Sequence, residues 1–381
     1  MHARLMPVLS LMLCFACGSA NPPPPSPPPS APSPPVTSSA APSPAPDAPS
    51  APVASAAAPT VAGPARLTFK GVALPGAAAP VSLDYIAYER AHARIWVPVG
   101  DTGSVDVYDP AGGTFTRVDG FKKAERDNNG TKRMMGPSSV AIGDGVGYVG
   151  DRASSEVCTV DAGALKLGKC LALPSSPDGV AYVASAKEVW VTTPRDSTLT
   201  VLDASKPDEL KLKTTVKLQG RPEGYAVDES RGLFFTNLED KDRTVVVDVK
   251  THTPKATWNP GCGADGPRGI AADIGRGFVY VACTDHVVVL DGAHDGAPLG
   301  KVDVGAGIDN IDWLDPQRLL YVSAAKAARL VVLRFDASGK ATVAADGEST
   351  EGARNGVADA GGNAYLADPH NARLLVFAYA P

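Results

Sequence analysis

The sequence predicts an all-β fold, a seven-bladed β-propeller closed by an N-terminal strand and preceded by a disordered Pro/Ala/Ser-rich tether. Three observations predict it. One pattern of short β-rich runs recurs through residues 66–381, roughly 45 residues apart and without helical periodicity. Proline divides the chain, with 18 of 35 in residues 1–64, so only the remainder has the composition to build a core. The last repeat stops one strand short, while a strand with no other place precedes the first.

Each unit leads in on a short apolar segment after a turn, as in Leu83-Asp84-Tyr85-Ile86-Ala87. A second run follows, RIWVPV (94–99), and recurs as VGYVGD (146–151), EVWVTT (188–193), LFFTN (233–237), FVYVAC (278–283), LLYVSA (319–324) and AYLAD (364–368). The third run is SVDVYD (104–109) in the first unit. It recurs as EVCTVD (156–161), TLTVLD (198–203), TVVVD (244–248), HVVVLD (286–291) and RLVVLRFD (329–336). These end in Asp109, Asp161, Asp203, Asp248, Asp291 and Asp336. A short carboxylate there accepts backbone N–H bonds from the following turn, so these six are expected to be structural. Short strands and polar turns at this period indicate four-stranded blades. The seventh unit ends on LLVFAYA (374–380), its third strand. The run 67–74 is expected to supply its outer strand, closing the ring and hiding strand edges that would otherwise pair with other chains.

The N-terminus reads as an export signal. His2 and Arg4 precede an apolar stretch over residues 5–16, too short to span a bilayer. Cys14-Phe15-Ala16-Cys17 resembles a bacterial lipoprotein signal, which implies lipidation of Cys17; cleavage after Ala20 is the rival. The domain plan is a signal peptide over 1–16, lipidated Cys17 and linker over 17–65, and propeller over 66–381. Asp47 is the linker's only charge, and Pro, Ala and Ser give it too little to bury for a core. Its Pro-rich half is expected to be extended and to hold the propeller away from a membrane. The expected location is the bacterial cell envelope, membrane-anchored, with a secreted or periplasmic soluble protein as the alternative. A net charge of −5 argues against nucleic-acid partners and attraction to anionic headgroups.

Residues 188–203, with their lead-in Pro177-Asp178-Gly179-Val180-Ala181, resemble the YVTN/YncE-like repeats of bacterial surface-layer propellers. Asn237 keeps that family's usual second-strand Asn. The resemblance covers about residues 66–381. It implies the fold but no activity, since propellers host many. Quinoprotein-like relatives belong to the family, but no cofactor motif of theirs is visible, and a redox role ranks last.

Beyond the signal, Cys158, Cys170, Cys262 and Cys283 remain, an even set that in an exported chain suggests disulfides. Cys158 and Cys170 flank a predicted hairpin symmetrically, which sets them opposite each other in blade 2. Cys262 leads into blade 5 and Cys283 ends its second strand. Those two loops share one face of a propeller, so a Cys262–Cys283 bridge is expected. Four free thiols are the alternative. No Cys-x-x-Cys is left once the signal is cleaved, and no His-rich spacing accompanies these cysteines, which counts against zinc.

The usual catalytic motifs are absent: no Gly-x-Ser-x-Gly, His-Glu-x-x-His, P-loop or Cys-x-x-Cys-His occurs. Among the later histidines, only His286 and His370 are expected near the channel mouth. Aligning the lead-ins puts Asp84, Ser138, Asp178, Glu223, Arg268, Asp309 and Asn355 around that mouth. Carboxylates crowded there are costly unless paired or liganded. The leading expectation is a non-catalytic scaffold, a monomer without cofactor, that binds a small ligand or envelope protein. The alternative is one divalent cation, calcium above all, on Glu223, Asp309, Asn355 and Asp178. That placement resembles the SMP-30/gluconolactonase-type propeller lactonases and implies a metal-dependent hydrolase. A third reading has Arg268 simply neutralising the neighbouring acids. The basic link 121–135, with Lys122, Lys123, Arg126, Lys132, Arg133, Met134 and Met135, reads first as a solvated insertion and otherwise as a candidate contact for an anionic partner.

Overall fold

The structure, a computed structural model, describes residues 63–379 apart from residue 129. The signal segment, Cys17 and the linker to residue 62 lie outside the described residues.

The second and third strands of each repeat are apolar almost without a break, because each blade is packed between two others and both faces of these strands are buried. In Glu188–Thr193 every residue is buried. Outer strands such as Lys166–Ala172 keep one face in water and carry the polar residues. The result is seven four-stranded antiparallel units. Their innermost strands are Ala87–Glu89, Pro137–Gly143, Val180–Val183, Pro222–Asp228, Ile270–Asp273, Ile308–Leu314 and Arg354–Ala358, which define blades 1 to 7.

Large side chains fill the wedges between blades. Trp190 of blade 3 stacks on Phe234 of blade 4 with centroids 4.6 Å apart. Trp96 of blade 1 lies against Gly147 of blade 2, where a Cβ would fall 2.6 Å from the indole. Wholly buried indoles need a partner for their N–H; Trp96 and Trp190 find theirs in Glu89 and Glu188, each at 2.8 Å.

The six third-strand aspartates are turn caps, as expected. Each accepts a backbone N–H just beyond itself at 2.7–2.9 Å, from Ala111, Ala164, Ser205, Thr251, Ala293 and Ser338 respectively. Hydrogen bonds from these turns hold the carboxyls of Asp203, Asp248, Asp291 and Asp336 below the usual range.

The ring closes through the N-terminal strand. Phe69–Ala73 pairs antiparallel with Arg373–Phe377 and is the outer strand of blade 7. The strand is shorter than the run 67–74, and the segment before it is also paired. Ala65–Arg66 adds a fifth, parallel strand to blade 6 beside Ala341–Glu348. Residue 65 thus belongs to the propeller edge rather than to the linker. Leu67 is buried among side chains of blades 6 and 7, and its N–H bonds Asp346 O at 2.8 Å, which draws the preceding residues onto the open edge.

The basic link is a hairpin rather than a loop, formed by Ala124–Asn128 and Thr131–Met135. Asp127 accepts the N–H of Gly130 at 2.8 Å across its turn. Ser82 Oγ donates to Met134 O at 2.8 Å, pinning the hairpin's exit to the lead-in of blade 1. Both expected disulfides are present, Cys158–Cys170 between directly paired residues of blade 2 and Cys262–Cys283 in blade 5. Two such bridges point to an oxidising, extracytoplasmic environment. Among the described residues no helix is long and apolar enough to cross a membrane.

Candidate functional site

The lead-in motif Pro-x-Gly explains how the ring forms. A Cβ on Gly224 would fall 2.5 Å from Arg268 O, and one on Gly269 would fall 2.6 Å from Asp309 O. Glycine is needed because the next blade's backbone passes directly against it. The same contact supplies a bond between blades, Gly269 N–H to Asp309 O at 2.6 Å. Blade 1 carries Tyr85 where those blades carry glycine. Its N–H makes the equivalent bond, to Ser138 O at 3.0 Å, and its ring is buried 5.9 Å from that of Tyr225.

Side chains from all round the ring then meet. Asn355 Nδ2 donates to Asp84 Oδ1 at 2.5 Å, and its Oδ1 accepts the N–H of Asn310 at 3.2 Å. Arg152 Nη2 joins Asp84, at 2.7 Å, to Asp178. Arg354 lies 3.3 Å from Asp309. Arg268 does not turn to the ring acids for its ion pair. It pairs with Glu239, which Arg221 also contacts at 3.1 Å. Ser138 is buried and its hydroxyl reaches only Gly150 O, at 3.5 Å.

Two carboxylates are left wanting. Asp178 is 8 % exposed, and its Oδ2 is buried without a hydrogen-bond partner. Burial raises its carboxyl; Arg152 opposes that, and Asp84 adds to it. Glu223 has no such relief. Burial and the charges of Asp178, Asp309, Asp84 and Glu239 all push it well above the usual carboxylate range. Asp309 is raised as well, by burial and then Asp84, against the pull of Arg354. The Tyr85 hydroxyl is pushed up by burial and by Glu223, Asp178, Asp84 and Asp309 together, so it faces the acids.

The four proposed cation ligands do not present four free oxygens. Both polar atoms of Asn355 are engaged, and Arg152 stands against Asp178. Among the described residues the one set of His, Cys, Asp and Glu atoms converging within 4.8 Å is Glu156, Cys158 and Cys170, whose cysteines form a disulfide. Neither Glu223 nor Asp178 Oδ2 has a hydrogen-bond or ion-pair partner among the described residues.

Beside the ring lies a cavity of about 640 Å³, walled by Asp84, Arg152, Arg354 and His370 together with Arg133, Met134 and Met135 of the hairpin. A second cavity of about 500 Å³ opens among the innermost strands, lined by Tyr85, Tyr225, Arg90 and Asp312. Asp312 is pushed up to about 6 by burial, against a hydrogen bond from Ala358 N–H at 2.7 Å. His286 meets only Asp285, at 2.6 Å, away from both groups.

Sequence reasoning names Asp84, Asp178, Asp309 and Asn355, which these contacts involve, but not Arg152, Arg354 or Tyr85. Arg152 directly follows the second run of blade 2, in the kind of loop that places Cys283 beside Cys262, so the same geometric argument reaches it. Arg354 precedes a ring position, and Tyr85 stands out as the bulky residue in the glycine column.

Fold and ring together define a seven-bladed β-propeller with an ionic belt at its channel mouth. No protein-family model and no curated protein matches the chain, so the YVTN-type likeness stands on its residues alone. Many solved structures share the fold. Virginiamycin B lyase from Staphylococcus aureus superposes with a TM-score of 0.64 at 9% identity, covering 82% of this chain and 100% of that one. Kuenenia stuttgartiensis hydrazine synthase gives 0.66 at 13%, covering 81% and 99%. A chain of a mitotic checkpoint complex gives 0.66 at 13%, covering 86% and 98%. At such identities the likeness shows the fold alone.

Proposed function

We propose that this protein is an exported, lipid-anchored propeller that binds a ligand at its channel mouth without catalysis, with the ring around Glu223 as the binding site. The observation that carries the reading is the unrelieved Glu223 carboxylate beside the unpartnered Asp178 Oδ2. A buried charge with no partner is a standing penalty that a cationic ligand removes. Similar folds include a lyase and a chain of a checkpoint assembly, so the neighbours favour neither catalysis nor binding. The hydrolase reading has less support, because a metal would have to displace Arg152 and free Asn355.

Thermal unfolding with added cations tests this. A cation that binds only the folded state stabilises it by about 2.7 kcal/mol at a hundred times its dissociation constant. Calcium, magnesium, zinc and small primary amines are to be screened at millimolar concentration. At least one is expected to raise the melting temperature of the native protein and to lose that effect in Glu223→Gln. Equal shifts in both proteins, or none, would overturn the ring as a cation site. A calcium shift accompanied by lactone hydrolysis would favour the hydrolase instead.

A further inference from the structure

We infer that the cavity between the hairpin and the channel mouth is a second binding site, for a small amphipathic anion with an apolar body and one carboxylate. The inference goes beyond the cation site at the ring, because it involves neither Glu223 nor Asp178.

The cavity's volume, about 640 Å³, falls in the range of small-molecule sites. Its charges are uneven once internal pairs are set aside. The two acids that line it, Asp84 and Asp101, are both engaged: Asp84 with Arg152 and Asn355, and Asp101 with the N–H of Ser82 at 2.6 Å. Among the basic residues, Lys132 is held by Glu125 at 2.7 Å and Arg354 faces Asp309. Arg133 and His370 both line the cavity, are both exposed, and make no ion pair or side-chain hydrogen bond among the described residues. Arg133 thus offers a ligand an unpaired guanidinium and His370 an unbonded imidazole, in a protein whose overall charge is −5.

The remaining wall is apolar. Val81 and Leu83 are buried, and the half-buried Met134 and Met135 bring unbranched, adaptable thioethers from the hairpin. A purely polar anion would leave that wall unused, and a neutral apolar body would leave Arg133 and His370 unused. A carboxylate on a short apolar body uses both. The hairpin is what builds the site, since among the described residues no other blade carries an insertion of this kind between its outer strand and the next blade. Its exit is fixed over blade 1 by the Ser82–Met134 bond, so the wall is in place before any ligand arrives.

The test uses the full-length protein and anilinonaphthalene sulfonate, a fluorescent apolar anion, as reporter. Octanoate is expected to displace the reporter at least tenfold more effectively than octylamine or octanol. Met135→Asp and Arg133→Glu are each expected to weaken octanoate at least tenfold without moving the melting temperature. Should either substitution unfold the hairpin, His370→Ala, at an exposed position, carries the same expectation. A free carboxylate also ends a peptide chain, so acetyl-Leu-Leu and its amide form a second arm. Stronger displacement by the free-acid peptide than by octanoate assigns the site to protein C-termini, and the reverse assigns it to fatty acids; either supports the anion site. The inference is overturned if octylamine competes as well as octanoate, if the folded variants bind like the native protein, or if no reporter binds.

Discussion

Glu223 and Arg152 sit in the same belt yet have opposite expected effects on stability. Glu223 is raised by burial and by four neighbouring carboxylates, so the folded state holds its proton more tightly than the unfolded chain. The stability linked to that proton is fully present below the unfolded value of about 4.3 and is lost as pH rises through the folded value. Glu223→Gln removes the titration. It is expected to raise the melting temperature at pH 7.5 by about 2 °C or more, with the gain over the native protein shrinking toward pH 4. Unfolding scans across that range check it; a gain that grows in acid would reverse the assignment. Arg152 is the counter-case. It stays charged despite burial because Asp178 and Asp84 hold it. Arg152→Leu leaves both acids buried without their cation, and a loss of about 3 kcal/mol in denaturant unfolding is expected. Of these two residues only Glu223 was singled out from the sequence, since it occupies a column that every blade shares. Arg152 lies in a loop whose length and content differ between blades, and only the packed fold shows which acids it reaches.

The N-terminal segment works as a clasp between elements far apart in sequence. Ala65–Arg66 lies on blade 6 and Phe69–Ala73 on blade 7, with Leu67 and Leu74 buried on either side of the second strand. Burying each leucine contributes about 2 kcal/mol, and the strand also covers an otherwise open edge. Deleting residues 63–74 is therefore expected to lower stability by about 4 kcal/mol or more and to promote association through the exposed Arg373–Phe377 strand. Calorimetry with light scattering reads both; an unchanged melting temperature would mean that the ring does not depend on its clasp. The closing strand was legible because the last repeat lacked one. The parallel pairing of Ala65–Arg66 was not, because two residues carry no periodicity and their partner strand is fixed only by how Leu67 packs. The basic hairpin escaped for a related reason. Its charged residues show no apolar alternation, and a small set of bonds at Asp127 and Ser82 gives it shape.

For the molecule as a whole, the proposed membrane anchoring rests on Cys17, which lies outside the described residues. Cys17→Ala is expected to move the protein from the membrane fraction to the soluble fraction, as no other segment of the sequence is apolar and long enough to hold it. Persistence in membranes washed with high salt would remove the anchor from the account. The two disulfides agree with export but do not bear on lipidation. By itself the sequence determined the seven repeats, the closing strand and both cysteine pairs. Each of these rests on a local rule repeated at fixed spacing, and closing the ring converts that spacing into position. The tertiary structure alone decided which charges neutralise one another, that Glu223 has no partner among the described residues, and that the hairpin and the mouth enclose a cavity between them. Those outcomes depend on distances between side chains of different blades, and sequence spacing does not encode such distances.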